Sequence, residues 1–289
     1  MNGILLIDKP SDWTSSDVVA KLRGILHERR IGHSGTLDPM ATGLLVVFVG
    51  RATRAVEFAE SQEKRYLAGL RLGLVTDTQD TTGNRIGGEP RPVSAEELEH
   101  AMIDFCGQIQ QIPPMYSAIK VGGRKLYEIA RRGGEVERKP RCVTIAELKL
   151  QGQKGEDFLL DVRCSKGTYI RTLCHDIGAS LGCGGCMSSL RRTEAGPFSL
   201  TDAYSLEEVQ RAADAGEAEK LLLPVDCLFS RYDAITVNAK EERRIRCGSA
   251  IPFQAEDASY RIYSEKGELL ALGAVNNGEL RTIKSFFEV

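Results

Sequence analysis

Gly32-His33-Ser34-Gly35-Thr36-Leu37-Asp38-Pro39-Met40-Ala41-Thr42-Gly43-Leu44-Leu45 reads as a tightly turned loop that feeds a buried strand. Three glycines, a proline and several small hydroxyl residues favour turns, and Pro39 biases Asp38 away from helical geometry. From Gly43 to Gly50 the chain is almost wholly apolar, which predicts a strand buried on both faces. Asp38 is thereby presented at the edge of a core strand, where a carboxylate is a candidate nucleophile or base. Read in isolation, Asp38-Pro39 is an ordinary turn, and both readings stand at this point.

Outward from that loop, apolar residues at Val18, Leu22, Ile25 and Leu26 predict a helix over Asp17–His27, with Ser15 and Ser16 as candidate caps. Arg65–Leu74 alternates, with Tyr66, Ala68, Leu70, Leu72 and Leu74 on one face of a strand. Ser94-x-x-Glu97 and Ser205-x-x-Glu208 read as capping boxes, and Gly216 as the end of the second helix. Phe158, Leu160, Val162 and Cys164 alternate as another strand. It runs through Ser165-Lys166-Gly167-Thr168 into a helix that buries Ile170, Cys174, Ile177 and Leu181. Beyond Leu228 short strand-like runs follow at Ala234–Val237, Tyr260–Tyr263, Leu269–Ala274 and Leu280–Ile283. The turn signals Lys266-Gly267 and Asn277-Gly278 separate the last three. The pattern is a larger α+β domain with a small β-barrel appended, divided near Ser230.

At 289 residues the chain has room for about two domains at ~100–200 residues each. With 42% hydrophobic and 27% charged residues it has the composition of a globular protein rather than a disordered one. The longest apolar run, Leu44–Val49, is far below the ~18 residues of a membrane span, and Met1–Pro10 has no secretory pattern. Eight cysteines are too sparse for a disulfide scaffold, so the expectation is a cytoplasmic protein with reduced thiols. Cys183-Gly184-Gly185-Cys186, near Cys174-His175, could suggest zinc, but a second well-spaced pair is absent and no metal is expected. Net charge is only −2, yet Tyr116–Arg141 carries eight basic residues against three acidic ones. Such a local surplus suits a polyanion, or a solvated surface loop.

The Gly32–Leu45 loop resembles the signature of the TruB family of tRNA pseudouridine synthases around the family's catalytic aspartate. Further family-like blocks follow in order: Gly3 to Ser15, Lys64-Arg65-Tyr66, Thr76-Asp77-Thr78-Gln79-Asp80, and Pro113-Pro114-Met115-Tyr116-Ser117-Ala118-Ile119-Lys120. Then come Cys164-Ser165-Lys166-Gly167-Thr168-Tyr169-Ile170-Arg171 and Leu190-Arg191-Arg192-Thr193. The resemblance covers nearly all of the first 200 residues. It departs at Asp12, where the family usually has glycine; aspartate tolerates a left-handed backbone better than most residues.

The resemblance implies an α+β pseudouridine synthase fold, with a mixed, largely antiparallel central sheet flanked by helices, and a small C-terminal PUA-like β-barrel. It divides the chain into a catalytic domain over 1–230, with a thumb-like RNA-binding insertion at about 116–141, and an RNA-binding domain over 231–289. It implies Asp38 as the catalytic carboxylate, Arg171 as the cation that keeps it ionised and oriented, and Tyr66 as the aromatic that stacks on the flipped uracil. His33, Lys9, Asp80, Lys166 and Tyr169 fall in the same blocks as substrate-side residues. Lys120, Arg124, Lys125, Arg131 and Arg132 would hold RNA phosphates on the thumb. The implied substrate is the T-loop uridine of tRNA, position 55, extruded from its stack for reaction. The isomerisation imports no group and oxidises nothing, so no cofactor is expected. Nor is a protein scaffold; a monomer is expected, with help to tRNA folding as a second role.

Overall fold

The computed structural model describes residues 1–130 and 132–287; Arg131, expected on the thumb, lies outside the described residues, as does the side chain of Lys120. By packing, the chain falls into two compact units. One comprises Met1–Pro39, Leu44–Glu60 and the chain from Gly196 on, the other Met40–Gly43 and Ser61–Ala195.

The first unit opens with β1 (Gly3–Lys9), whose apolar run is buried on both faces. α1 (Ser15–Leu26) follows, capped at Thr14 rather than at the expected serines. The reason lies in the partners. Asp17 stands three residues after Thr14, so its carboxylate accepts from the Thr14 N–H at 2.9 Å while the Thr14 hydroxyl accepts from the Asp17 N–H at 3.0 Å. Ser15 points inward and is occupied elsewhere. β2 (Ile31–Ser34) pairs antiparallel with β3 (Thr42–Val49), Ile31 opposite Val49 and Ser34 opposite Val46. β1 lies beside β3. Val18, Leu22, Ile25 and Leu26 of α1 pack on Leu5, Ile7, Leu45, Val47 and Val49. A tight helical turn over Gly50–Ala55 then leads into α2 (Val56–Glu60).

In the second unit the elements are β4 (Lys64–Leu72), the small hairpin of β5 (Val75–Thr76) and β6 (Arg85–Gly87), α3 (Ala95–Met102) and β7 (Gly107–Gln111). A second hairpin follows, β8 (Lys120–Val121) and β9 (Arg124–Lys125), and then α4 (Leu126–Ala130). β10 (Arg141–Lys154), β11 (Asp157–Cys164), α5 (Ile170–Ser180) and β12 (Gly185–Ala195) complete the unit. The strands run β12-β4-β11-β10-β7, each antiparallel to the next, and Thr42-Gly43 at the start of β3 add a short parallel pairing to Arg191-Arg192. The sheet is therefore mixed and largely antiparallel, as expected. Ser94 caps α3, but the box is half made: the Glu97 carboxylate turns to Arg91, at 2.5 and 3.1 Å.

Back in the first unit, β13 (Phe198–Ser199) and α6 (Leu206–Asp214) are followed by β14 (Asp233–Val237), α7 (Ala239–Arg246), β15 (Ile251–Pro252), β16 (Ser259–Ser264), β17 (Leu269–Asn276) and β18 (Glu279–Ser285). The last strands form a five-stranded half-barrel in the order β14-β16-β17-β18-β15. Its core holds Val237, Ile245, Ile251, Ile262, Leu270, Val275, Leu280 and Phe287. Asn277 (φ 52) and Gly278 (φ 75) turn β17 into β18, the left-handed pair that an Asn-Gly hairpin needs.

Candidate active site

Asp38 is half-buried in the loop between β2 and β3, and the backbone on each side of it is pinned. Before it, the buried Ser15 hydroxyl accepts from the Leu37 N–H at 3.0 Å and lies 3.3 Å from the Leu37 carbonyl. After it, the Pro39 carbonyl accepts from the Asp12 N–H at 2.9 Å and from Lys9 Nζ at 3.1 Å. Asp12 does adopt the left-handed backbone that the family's glycine would take, at φ 65. Lys9 is 0% exposed, and its ammonium also donates to the carbonyls of Pro10 at 2.8 Å and Trp13 at 2.6 Å. A buried ammonium is costly unless its protons are matched, and these three carbonyls match them. Lys9 thus acts on the Asp38 loop as a clamp. His33 sits half-buried in β2, opposite Val47.

The second unit assembles the Arg171 group. Arg171 is the second residue of α5 and is 6% exposed. Its Nη1 donates to the Thr78 carbonyl at 3.1 Å, its Nη2 to the Tyr116 carbonyl at 2.9 Å, and Nη1 lies 3.6 Å from Asp80 Oδ2. Asp80 is buried too, its Oδ1 accepting from the Thr78 hydroxyl at 2.8 Å and from the N–H and hydroxyl of Thr82 at 3.0 and 2.5 Å. The fork of the guanidinium is held in one orientation, which suits it to fix a carboxylate or a developing negative charge. Tyr66 is buried in the central strand β4, with Val162 of β11 and Arg192 of β12 as its cross-strand partners. The backbone that carries the ring is flanked by a paired strand on each side.

Tyr169 precedes Arg171, and Gln111, 1% exposed, grips its backbone through both ends of one amide, at 3.0 and 3.2 Å. Lys166 is exposed on the loop before α5, where Ser165 and Thr144 bond to each other across β10 and β11. The thumb residues lie on the β8–β9 hairpin and beyond: Lys120 is opposite Lys125, Arg124 and Arg132 are exposed, and Lys125 Nζ stands 5.4 Å from the Tyr127 ring centre. The residues that sequence reasoning missed are the supports, namely Gln79, Gln111, Thr82 and Thr172. For Gln79, Gln111 and Thr172 the signal is tertiary, since their partners lie far away in the chain, whereas Thr82 bonds Asp80 two residues away. Cys174 and Cys186 are buried, and desolvation pushes both thiols up, Cys186 to about 11. Among the described residues no three His, Cys, Asp or Glu side chains gather as a metal site.

Known proteins resolve what this arrangement belongs to. Residues 23–170 match the TruB family pseudouridylate synthase N-terminal domain, and residues 171–230 the tRNA pseudouridylate synthase B C-terminal domain. The chain is 39% identical over 292 residues to the tRNA pseudouridine synthase B of Clostridium kluyveri, covering 99% of this chain and 100% of the relative. It is 44% identical over 283 residues to that of an Azoarcus species, covering 97% and 93%. Among solved structures, Cbf5 in a Cbf5–Nop10–Gar1 complex superposes with a TM-score of 0.76 at 26% identity, over 99% of this chain and 85% of the other. An H/ACA ribonucleoprotein bound to a substrate RNA gives 0.74 at 25% identity, again over 99% and 85%. With matched domains from residue 23 to residue 230 and relatives this similar end to end, the chain belongs to the TruB family of pseudouridylate synthases.

Proposed function

We infer that this chain isomerises uridine to pseudouridine in tRNA, and propose that its target is the T-loop uridine at position 55, with Asp38 as the catalytic carboxylate. The observation that carries the reading is the Asp38 loop itself: a family signature whose neighbouring carbonyl and N–H groups are held by the buried Ser15 and Lys9 and by the Asp12 N–H. Its nucleotide must leave the stack, at a cost of a few kcal/mol, before the carboxylate can act on it. The N1–C1′ bond then breaks, the uracil turns, C5 bonds to C1′, and the C5 proton leaves. N1 takes up a proton from water as C5 gives one up, so the composition is unchanged and the protein's task is to supply charge, stacking, position and a proton path.

Asp38 meets the electron-poor centre that forms as the glycosidic bond opens, as nucleophile or as counter-charge. Arg171 keeps that carboxylate ionised and aimed. Tyr66 stacks on the uracil and takes the C5 proton in the last step. His33 helps to hold the flipped nucleotide, and Lys9 and Asp80 hold the backbone and the guanidinium on which these roles depend. Cations of the thumb, Lys120, Arg124, Lys125, Arg131 and Arg132, together with Lys166 and Tyr169, grip the RNA backbone. Binding then weakens as salt rises. Residues 231–289 serve as a PUA-like RNA-binding module, and the chain works alone, as a monomer, in the cytoplasm.

The test is tritium release from C5-labelled uridine in a tRNA transcript, wild type against Asp38→Asn, with the modified position mapped. The expected result is release by the wild type at the T-loop uridine and none by Asp38→Asn, with tRNA affinity within about twofold. Equal release by the two proteins removes Asp38 from the mechanism. Release mapped to another uridine overturns the T-loop assignment.

A further inference from the structure

Gln79 holds a backbone conformation that its residue type does not favour. Its φ is 63, in the left-handed region that glycine occupies without strain. A side chain kept at such a position points to work done by that side chain. The backbone of Gln79 is riveted in place: its N–H donates to the Thr76 carbonyl at 3.2 Å, and its own carbonyl accepts from the Met187 N–H at 3.0 Å. Thr81 returns a bond to the Met187 carbonyl at 3.0 Å, so the turn is fastened to β12 from both sides. From this base the amide Oε1 of Gln79 accepts from the Thr172 hydroxyl at 2.8 Å. Thr172 is buried and follows Arg171 directly.

The start of α5 explains why such a bond is needed. Tyr169 occupies the cap position and offers no side-chain hydrogen bond to the helix. The first turn, which carries Arg171, is tied down instead by two glutamine amides, Gln111 on Tyr169 and Gln79 on Thr172. The turn that carries Gln79 also supplies the Thr78 carbonyl and the Asp80 carboxylate that Arg171 faces. We propose that Gln79 is a positioning residue for Arg171, its strained backbone and its bond to Thr172 setting where the guanidinium stands. The proposal rests on Arg171 being part of the active site.

Gln79→Gly separates this role from a merely structural one, because glycine relieves the left-handed strain while deleting the amide. Single-turnover tritium release should fall about tenfold, with tRNA affinity within about twofold and the melting temperature unchanged or raised. Thr172→Val should slow release to a similar extent, Thr172→Ser should restore it, and the double variant Gln79→Gly/Thr172→Val should be no slower than the slower single one. Wild-type rates for Gln79→Gly and Thr172→Val, with Arg171→Lys slow, would overturn the proposal and leave Arg171 in the site. A wild-type rate for Arg171→Lys would instead remove Arg171 from the site, and the proposal with it. Slowing accompanied by a lower melting temperature in Gln79→Gly would also overturn it.

Discussion

Lys9 shows how a charged side chain can become part of the backbone's own hydrogen-bonding. Its ammonium donates to the carbonyls of Pro10, Trp13 and Pro39, and nothing of the side chain is left to solvent. Lys9→Met keeps the length and removes the donors, so the Pro10 and Trp13 carbonyls lose the ammonium and the Pro39 carbonyl keeps only the Asp12 N–H. The expected loss is about 3 kcal/mol, read as a lower urea midpoint, and Lys9→Arg should not rescue it because the planar fork does not fit three converging carbonyls. If Lys9→Met unfolds at the wild-type midpoint, the ammonium is not the clamp. The sequence points to Lys9, since Asp8-Lys9-Pro10 stands in a family-like block, but not to what it holds. One of its partners lies thirty residues away, at Pro39, and only the fold brings it near. The same applies to Arg171 and Asp80: both stand in family-like blocks of the sequence, whereas their pairing across ninety-one positions is visible only in the fold.

Elements were legible where the period was clean. The alternation of Tyr66, Ala68 and Leu70 and that of Phe158, Leu160 and Val162 correspond to β4 and β11, and the apolar run from Gly43 to β3. β12 escaped because its register shifts between Met187 and Ser189 and again between Arg192 and Glu194, which breaks the period of two. α7 escaped because a single buried apolar residue, Ile245, leaves no stripe to detect; the overlooked signal was its complete box of Asn238 and Glu241. α6 shows what such a box contributes. The Ser205 hydroxyl accepts from the Glu208 N–H at 3.2 Å, and the Glu208 carboxylate accepts from the Ser205 N–H at 2.7 Å. These bonds hold the Glu208 carboxyl below its ordinary range. Ser205→Ala should lower stability by about 1 kcal/mol at neutral pH. Because the folded carboxyl is the more acidic one, the contribution of Glu208 is present above the unfolded value, about 4.3, and is lost as pH falls through the folded value. Glu208→Gln should therefore differ from the wild type in urea midpoint at pH 7 and converge with it near pH 3. A difference unchanged by acid would show that the carboxylate's charge is not what the cap uses.

At the scale of the molecule, the strand-like runs after Leu228 correspond to a five-stranded sheet, but composition says nothing about how that sheet is fastened within its own unit. It is fastened closely. Phe229 meets Phe58 of α2 edge to face at 5.2 Å and Phe286, just past β18, at 5.6 Å. Arg54 donates to the carbonyl and hydroxyl of Ser285 at 3.2 and 3.1 Å, and Lys284 pairs with Glu57 at 2.6 Å. The Tyr263 hydroxyl donates to Asp226 at 2.5 Å, and burial with that carboxylate pushes its pKa up to about 12. The half-barrel is thereby built into the unit that also carries the Asp38 loop, through α2 and the turn that follows β3. Phe286 is the largest apolar piece of the junction contributed from the far end of the chain, and it is buried. Truncating it leaves a cavity against Phe229 rather than a gap that solvent can fill, so Phe286→Ala should cost about 4 kcal/mol. An interface between loosely tethered modules would respond differently: the sheet would detach first, giving a two-step urea transition with little change in the second midpoint. A single transition displaced as a whole is the expected result. It would mean that residues 231–289 help to hold together the unit that carries the Asp38 loop.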